Sequence, residues 1–343
     1  MRVAINGFGR IGRCFYRALL ENQNSDLEVA VINSTSPPRT LAHLLRYDST
    51  YGTLPLDVNW DSDSIVCAGK KVPCQSETTP AKIDWEKFEI DAVLESTGQP
   101  LQREVLETYI SNGAGTVLVS APSEEVDITL IPGCNLETYD PNHHKIISMG
   151  SCTTNCLATT LKIMDDNFRV KQGFATTIHS YTNDQRLLDG SHDDLRRARA
   201  AGQSLIPTRT GASKTIGKVL PRLKGRITCS AIRAPTSTVS LLDLVVECGS
   251  ELSRNEVNDA YEHAAAENLK GILAVSHEPL VSVDYKKDPH SAVLDGLSTE
   301  TIGGMVRILA WYDNEWAYAM RLIDTLQRID RSHVTPQIPS RNA

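Results

Sequence analysis

A glycine-rich turn near the amino terminus joins a short apolar run to a helical pattern. Residues 2–6 have the composition of a β-strand, Gly7-Phe8-Gly9-Arg10-Ile11-Gly12 has the spacing G-x-G-x-x-G, and residues 13–22 follow a helical pattern. In this context the first glycine permits a tight turn, the second lets the backbone approach a pyrophosphate, and the third lets the helix pack on the strand. The helix N-terminus adds unpaired N–H groups. The sequence therefore predicts a dinucleotide site at Gly7, Gly9 and Gly12.

The remaining pattern indicates two domains, as the length of 343 residues also suggests. Strand-like and helical runs alternate up to about residue 150, which predicts an α/β domain of Rossmann type: a doubly wound parallel sheet over residues 1–150. Longer runs rich in Val, Ile, Thr and Leu follow, so we expect an α+β catalytic domain with a mixed or antiparallel sheet over residues 151–315. The helical stretch within residues 316–343 is expected to pack back on the first domain.

Composition and charge argue against several kinds of partner and site. The net charge of −7 argues against nucleic acid as a main partner. No apolar run reaches the ~20 residues that span a bilayer, so no membrane partner is expected. Eight cysteines without a CxxC pair form no disulfide framework and no metal site is predicted, which favours a reducing, cytoplasmic location.

The end of the second strand bears on the choice of cofactor. This position commonly holds a carboxylate that accepts from the adenosine ribose 2′-OH. Here it is Ser34, followed by Thr35 and Ser36, with Arg39 nearby. Hydroxyl groups do not repel a 2′-phosphate as a carboxylate would, although serine is also ordinary in a solvated turn.

A cysteine stands where a loop meets a helical pattern, in the run Ser151-Cys152-Thr153-Thr154-Asn155. Ser and Thr are good helix caps, so Cys152 is expected in the first helical turn, where the helix dipole lowers a thiol pKa. Such a thiolate is a covalent catalyst. His179, at the end of a strand-like run, is the candidate partner as general acid or base. For Cys156 one turn later, packing in the core is the better interpretation.

Arginine and hydroxyl residues cluster in the second half. Residues 194–199 contain three arginines, Thr208-Arg209-Thr210-Gly211-Ala212 opens a helix, and Arg233 ends a strand. Arginine, threonine and helix N-termini together are typical of phosphate binding, which in an acidic protein suggests a phosphorylated substrate. At least one of Arg196, Arg197 and Arg199 is as well explained as a solvated or interface residue.

These motifs together resemble the phosphorylating glyceraldehyde-3-phosphate dehydrogenase family over nearly the whole chain. The resemblance rests on the glycine turn with its flanks, the cysteine run, residues 194–201, and two further motifs, His179-Ser180-Tyr181-Thr182-Asn183-Asp184-Gln185 and Trp311-Tyr312-Asp313-Asn314-Glu315. It implies that Cys152 adds to the substrate aldehyde and that His179 activates the thiol and assists hydride transfer to the nicotinamide. Inorganic phosphate then attacks the thioester.

The resemblance also implies the binding residues and the assembly. One phosphate set comprises Ser151, Thr153, Arg197, Thr210 and Gly211; the other comprises Thr182, Arg233 and the cofactor ribose. Cofactor contacts are implied at Arg10, Ile11, Ser96, Ser120 and Asn314, with Asn314 on the nicotinamide amide. The family is tetrameric.

Departures from the family pattern leave two questions open. Ser34 replaces the usual ribose-binding Asp, and Gly190-Ser191 replaces Leu-Pro in a loop that the family places near the ribose of a neighbouring subunit. We therefore expect NADP to be preferred, or NADP and NAD both to be used, with Ser34 and Ser191 facing the 2′-phosphate. Residues 281–285 and 288–292 are more similar to the erythrose-4-phosphate dehydrogenase branch, so erythrose 4-phosphate is the alternative to glyceraldehyde 3-phosphate. A binding protein on a retired dehydrogenase scaffold is disfavoured because Cys152 and His179 are both present.

Overall fold

The computed structural model describes residues 1–22 and 25–334, and its first half is built on a nine-stranded sheet. The strands of this half are β1 (Arg2–Asn6), β2 (Glu28–Asn33), β3 (Tyr47–Asp48), β4 (Gly52–Thr53), β5 (Val58–Trp60), β6 (Ser64–Cys67), β7 (Lys70–Gln75), β8 (Ala92–Glu95), β9 (Thr116–Val119), β10 (Ile128–Thr129) and β11 (Ile146–Ser148). Its α-helices are α1 (Arg10–Glu21), α2 (Pro38–Arg46) and α3 (Arg103–Ser111). The sheet order is β10-β11-β9-β8-β1-β2-β7-β6-β5, and β3 and β4 form a separate pair.

The pairing in this sheet is parallel from β10 to β7, and β6 and β5 continue it as an antiparallel edge. The central strands β8 and β9 are buried at every position, as expected of a parallel sheet covered on both faces. One face packs on α1 and α2, and the other packs on α3 and the segment around Trp85. The predicted doubly wound parallel sheet is confirmed. The antiparallel edge was not predicted, because its strands are short.

The described residues of the second half contain an eight-stranded mixed sheet and four α-helices. The helices are α4 (Cys152–Phe168), α5 (Ala212–Val219), α6 (Arg254–Ala266) and α7 (Trp316–Val334). The strands are β12 (Gln172–Ser180), β13 (Ile206–Arg209), β14 (Ile227–Ala234), β15 (Ser240–Glu247), β16 (Leu273–Ser276), β17 (Ala292–Asp295), β18 (Glu300–Ile302) and β19 (Met305–Tyr312). The order is β13-β14-β12-β15-β19-β17-β16, with β18 paired to β19; the pairs β12–β14 and β16–β17 are parallel and the others are antiparallel. The predicted α+β half with a mixed sheet is confirmed.

The two faces of this second sheet differ. Helices α4, α5 and α6 cover one face with a continuous apolar core. On β15 and β19, buried residues alternate with partly exposed ones, so the other face is open. Phe174 on β12 is 71 % exposed and Ile302 on β18 is 83 % exposed. No helix within residues 1–22 and 25–334 combines the length and apolar character needed to cross a membrane.

Helix α7 returns to the first half of the chain. Its residues Trp316, Leu322, Ile323 and Leu326 are buried in the same apolar core as β1 and α1. The first sheet ends at Ser148, and the domain boundary near residue 150 stays a prediction. Residues 335–343 of the predicted terminal segment lie outside the described part of the chain.

One strand begins later than its sequence suggests. The Val- and Leu-rich run from residue 237 predicts a strand, but β15 starts at Ser240. Val239 has a φ of +64°, in the left-handed region that β-branched residues rarely occupy, and this residue separates the strand from the preceding turn.

Candidate active site

Cys152 is the first residue of α4. The side chain of Ser151 caps this helix and accepts the N–H of Thr154 at 3.0 Å. The preceding strand β11 and the loop at residues 149–150 deliver the cysteine to this position. The sulfur therefore lies at the N-terminus of a 17-residue helix, as the polar flanking residues predict.

His179 approaches this sulfur from β12 in the second sheet. The distance from Cys152 Sγ to His179 Nε2 is 3.4 Å. The imidazole is 5 % exposed, and the edge of its ring faces the ring of Tyr312 at 6.1 Å between centroids. The structure thus brings the two predicted catalytic side chains together, although 26 residues separate them in the sequence.

Burial controls the ionisation of both groups. It raises the pKa of the Cys152 thiol above its usual value, while the charge of Arg233 and hydrogen bonds from Thr153 act in the opposite direction. The predicted lowering of the Cys152 pKa by the helix N-terminus is therefore wrong, because desolvation is the larger effect. Burial, followed by the charge of Arg233, lowers the pKa of His179 to about 3. A thiolate and an imidazolium formed together would attract each other at this short distance, so burial disfavours an isolated charge more than a paired one.

The second nitrogen of His179 has two partners. Nδ1 lies 2.8 Å from the carbonyl oxygen of Ser180 and 2.5 Å from Nη1 of Arg233. With its proton on Nδ1, the imidazole donates to the Ser180 carbonyl and leaves Nε2 free to take up the Cys152 proton, whereas the tautomer with its proton on Nε2 accepts from Arg233 at Nδ1. Each tautomer of His179 therefore has a partner in place, which is what a group that takes up and releases a proton needs.

The predicted phosphate residues fall in two places. Arg233, at the end of β14, contacts His179, and its Nε is buried without a hydrogen bond among the described residues. Arg197 lies in the loop before β13, where its guanidinium donates to Thr208 and pairs with Asp184. The Arg197 guanidinium therefore already has protein partners, whereas the Nε of Arg233 has none among the described residues.

The other residues of these sets lie on turns that follow or precede secondary-structure elements. Gly211 is the N-cap of α5, and the Thr210 hydroxyl accepts the N–H of Ala212 at 3.3 Å. Thr182 follows β12, and its N–H donates to the side chain of Gln185 at 3.2 Å.

Tyr312 is a site residue to which sequence reasoning assigns no role. Its hydroxyl lies 3.0 Å from Thr153 Oγ1 and 2.6 Å from Thr177 Oγ1, and burial raises its pKa well above the usual value. It therefore joins the first turn of α4 to β12 beneath the Cys152–His179 pair. The one signal for Tyr312 in the sequence is its residue type, because a tyrosine that becomes buried needs a hydrogen-bond partner for its hydroxyl.

Asn314 lies on the loop between β19 and α7, with its side-chain oxygen already occupied. The hydroxyls of Ser180 and Ser240 each donate to Asn314 Oδ1 at 3.0 Å. The side-chain NH₂ group is therefore the end left to bind another molecule.

Three predicted cofactor residues follow parallel strands. Ser96 follows β8, and its hydroxyl donates to the carbonyl oxygen of Gly7 at 2.7 Å. Ser120 follows β9, and Ser34 follows β2, where its N–H donates to Gln75 at 2.9 Å. The carboxyl ends of parallel strands share one sheet edge, so these serines lie along the edge where α/β proteins bind nucleotides.

The surroundings of Ser34 contain one free cation and one carboxylate. Arg39, in the first turn of α2, is exposed and has no hydrogen bond or ion pair with the described residues. Glu77, in the adjacent loop, donates its backbone N–H to Asn33 and accepts the Thr79 N–H on its carboxylate. Ser191 is exposed in the loop after β12, and its carbonyl oxygen accepts from Arg186. The part of the chain that the structure describes holds no cluster of three or more metal-binding side chains.

Comparisons with known proteins agree with this arrangement. A family model described as glyceraldehyde 3-phosphate dehydrogenase, NAD binding domain, matches residues 1–103, and one described as the C-terminal domain of the same enzyme matches residues 151–314. The chain belongs to the glyceraldehyde-3-phosphate dehydrogenase family.

Curated members of the glyceraldehyde-3-phosphate dehydrogenase family align over almost the whole chain. Glyceraldehyde-3-phosphate dehydrogenase 1 of Bacillus cereus is 48 % identical over 324 residues, which cover 94 % of this chain and 96 % of that protein. The Geobacillus stearothermophilus protein of the same name is 48 % identical over 325 residues, with coverage of 94 % and 96 %. Glyceraldehyde-3-phosphate dehydrogenase 2 of Streptomyces avermitilis is 47 % identical over 325 residues, with coverage of 94 % and 97 %.

The glycine turn fits the nicotinamide dinucleotide that this glyceraldehyde-3-phosphate dehydrogenase fold implies. Gly7 has a φ of +96°, and a Cβ there would lie 2.5 Å from the Thr97 nitrogen. A Cβ on Gly12 would collide with the Gly7 carbonyl oxygen, whereas one on Gly9 would meet no atom within 4 Å. Gly9 caps α1 without a side-chain hydrogen bond, and the first turn carries no acidic residue. Open space and unpaired N–H groups at a helix N-terminus suit a pyrophosphate.

Alanine substitutions separate these roles. We expect Gly7→Ala to destabilise the protein by about 2–4 kcal/mol, because a positive φ and a backbone overlap are both unfavourable. Gly9→Ala should leave the unfolding temperature nearly unchanged and raise the cofactor Kd roughly 5- to 150-fold, since its methyl group would occupy the phosphate space. Thermal unfolding and cofactor titration of both variants check this. Equal losses of stability would contradict the separate roles.

Proposed function

We propose that the chain catalyses the phosphorylating oxidation of glyceraldehyde 3-phosphate to 1,3-bisphosphoglycerate, reversibly, through Cys152. The observation that carries the proposal is the Cys152 sulfur, which lies at a helix N-terminus 3.4 Å from the imidazole of His179. The names of the curated relatives support the substrate class.

In the first half of the reaction, the Cys152 sulfur attacks the aldehyde carbon while His179 takes up the thiol proton and passes it to the aldehyde oxygen, which gives a hemithioacetal. His179 then removes that proton from the hemithioacetal hydroxyl as a hydride leaves the same carbon. A bound nicotinamide would supply the hydride acceptor, and the Asn314 NH₂ group would orient its amide. The product on Cys152 is a thioester.

In the second half, inorganic phosphate attacks the thioester carbon and the Cys152 thiolate departs with the acyl phosphate formed. We propose that the inorganic phosphate used in this step is bound by Ser151, Thr153, Arg197, Thr210 and Gly211. Thr182 and Arg233 would hold the phosphate of the aldehyde. The contact between Arg233 and His179 supports this assignment, because it puts a phosphate-binding cation beside the proton-transferring group.

An assay with two aldehydes and two cofactors tests the proposal. Glyceraldehyde 3-phosphate with inorganic phosphate should give the highest kcat/KM at the nicotinamide absorbance band, and omission of phosphate should stop turnover. A higher kcat/KM for erythrose 4-phosphate would overturn this choice in favour of the erythrose enzyme. Cofactor binding without turnover of either aldehyde would favour a binding protein.

We also propose that NADP is preferred or is used alongside NAD. No carboxylate stands at Ser34, and Arg39, which has no ion pair with the described residues, follows five residues later on α2. The resemblance adds Ser191 from a neighbouring subunit as a further hydroxyl donor. A hydrogen bond to a charged group contributes about 1.5–3 kcal/mol, which corresponds to roughly 10- to 150-fold discrimination.

Ser34→Asp is expected to reverse this preference. The new carboxylate would repel the 2′-phosphate and accept from the ribose 2′-OH, so the NADP-to-NAD ratio of kcat/KM should fall by roughly 10- to 150-fold. Ser34→Asn, which is similar in shape but uncharged, is the matched control and should change the ratio much less. A wild-type enzyme with a far lower KM for NAD than for NADP would contradict the proposal.

The assembly we propose is a homotetramer. The open face of the second sheet and the loop after β12 expose large apolar side chains, with Leu187 84 % and Leu195 81 % exposed. Exposed apolar side chains in such number are typical of an interface, and further copies of this chain would cover them. Light scattering that gives a monomer mass would contradict the assembly.

A further inference from the structure

The two neighbours of Asn314 in the sequence are tied to the first half of the chain. Asp313 is fully buried, and its Oδ1 accepts the Tyr51 hydroxyl at 2.7 Å. Glu315 accepts from Arg10, with 3.0 Å between Arg10 Nε and Glu315 Oε1 and a second bond from the same guanidinium to Oε2. Asn314 therefore stands between two connections that both reach across to the nucleotide-binding half.

The connections meet again at the turn after α2. Asp48 pairs with the other side of the Arg10 guanidinium, and its Oδ1 accepts the N–H groups of Thr50 and Tyr51 at 2.9 Å each. The turn that carries Tyr51 thus also clamps Arg10. Arg10 is the first residue of α1 and directly follows Gly9, so this hydrogen-bond network begins at the phosphate-binding turn.

The Arg10 side chain is committed to this protein contact. Its side chain is 25 % exposed, whereas those of Glu315 and Asp48 are 17 % and 3 % exposed. A bidentate hydrogen bond between a guanidinium and a partly buried carboxylate fixes the relative orientation of the two groups as well as their distance. The backbone of Arg10 remains available to the pyrophosphate, while its guanidinium holds the loop that carries Asn314.

We propose that Glu315 is a positioning residue that sets the distance between the phosphate-binding turn and the Asn314 amide. The pyrophosphate and the nicotinamide of a dinucleotide are joined covalently, so their two contact points on the protein must be held at a matching separation. Glu315 acts through Arg10 on one side and Asn314 on the other. The inference rests on the proposed role of Asn314 as the nicotinamide contact.

Binding of the complete cofactor and of ADP-ribose, which lacks the nicotinamide, distinguishes positioning from general stabilisation. Glu315→Gln keeps the shape of the side chain and removes its charge. We expect its Kd for the complete cofactor to rise about tenfold and its Kd for ADP-ribose to change less than about twofold. Tyr51→Phe, which removes the second connection, should shift the same ratio in the same direction by a smaller factor.

Glu124→Gln is the matched control. Glu124 pairs with Lys218 at 2.6 Å, so this variant also breaks an ion pair between the two halves, but it touches neither Asn314 nor its neighbours. It should change neither Kd. An equal rise of both Kd values in Glu315→Gln, or no rise in either, would overturn the proposal; if that variant does not fold, Tyr51→Phe decides by the same ratio.

Calorimetric titration measures both ligands in the absence of aldehyde. The outcome is therefore independent of the reaction. If the wild-type protein turned over neither aldehyde, the proposed function would fail while the ratio of the two Kd values would still test Glu315.

Discussion

Cys152→Ser is expected to abolish nearly all turnover, by on the order of 10⁴–10⁶-fold in kcat, and to leave the fold and cofactor affinity intact. A serine hydroxyl at this position is protonated and weakly nucleophilic, so the covalent intermediate would not form at a useful rate. Steady-state kinetics, with cofactor titration of the same preparation, measures both parts of the expectation.

Cys229→Ser is the matched control for this substitution. Cys229 is a half-buried cysteine on β14, and it receives the same chemical change without contact to His179. Its activity should stay near the wild-type value. A Cys152→Ser enzyme that works at a rate close to wild type would refute covalent catalysis by this residue.

His179→Asn should reduce kcat by about 10²–10⁴-fold, less than loss of the nucleophile does. The imidazole takes up the thiol proton and later the hydroxyl proton, and Asn can do neither, although the thiol remains. His263→Asn, at an exposed position of α6, is the control and should have no effect on turnover.

The pH dependence of alkylation tests the contact between these two groups directly. With His179 present, an imidazolium formed as the thiol ionises would stabilise the thiolate, since the two groups lie 3.4 Å apart. Without it, burial acts on the thiol unopposed by that charge, so the pKa of Cys152 should rise. The pH midpoint of iodoacetamide alkylation should therefore move upward in His179→Asn; an unchanged midpoint would mean that the pair does not function as a unit.

The parts of the fold that the sequence predicts well have strong local signals. The glycine spacing, the strand-like run before it and the helical pattern after it predict β1 and α1, because each unit is short and regular. Strands of two or three residues, such as β3 and β10, carry no periodicity and are invisible at that level. The delayed start of β15 depends on the conformation of Val239, which a β-branched residue gives no reason to expect.

The sequence predicts which residues form the candidate site, but it says much less about the burial and the charges that surround them. The motifs around Cys152 and His179 identify both side chains, but the ionisation of the pair depends on burial that only the packed structure reveals. Tyr312, Ser240 and Glu315 act through distant partners, and spacing along the chain contains no information about those contacts. The same holds for Arg197, whose pairing with Asp184 arises from the folding of one loop.

Helix α7 has a consequence for how the protein is made. The apolar core of the first sheet includes Trp316, Leu322 and Leu326, which are synthesised after the entire second half. At about 5–20 residues per second, roughly 10–40 s separate the emergence of the first sheet from the ribosome and the arrival of its covering helix. During that interval the apolar surface that α7 later covers stays open to water. The first half therefore completes its folding only after the second half has been synthesised, and until then its exposed apolar surface is one to which a chaperone can bind.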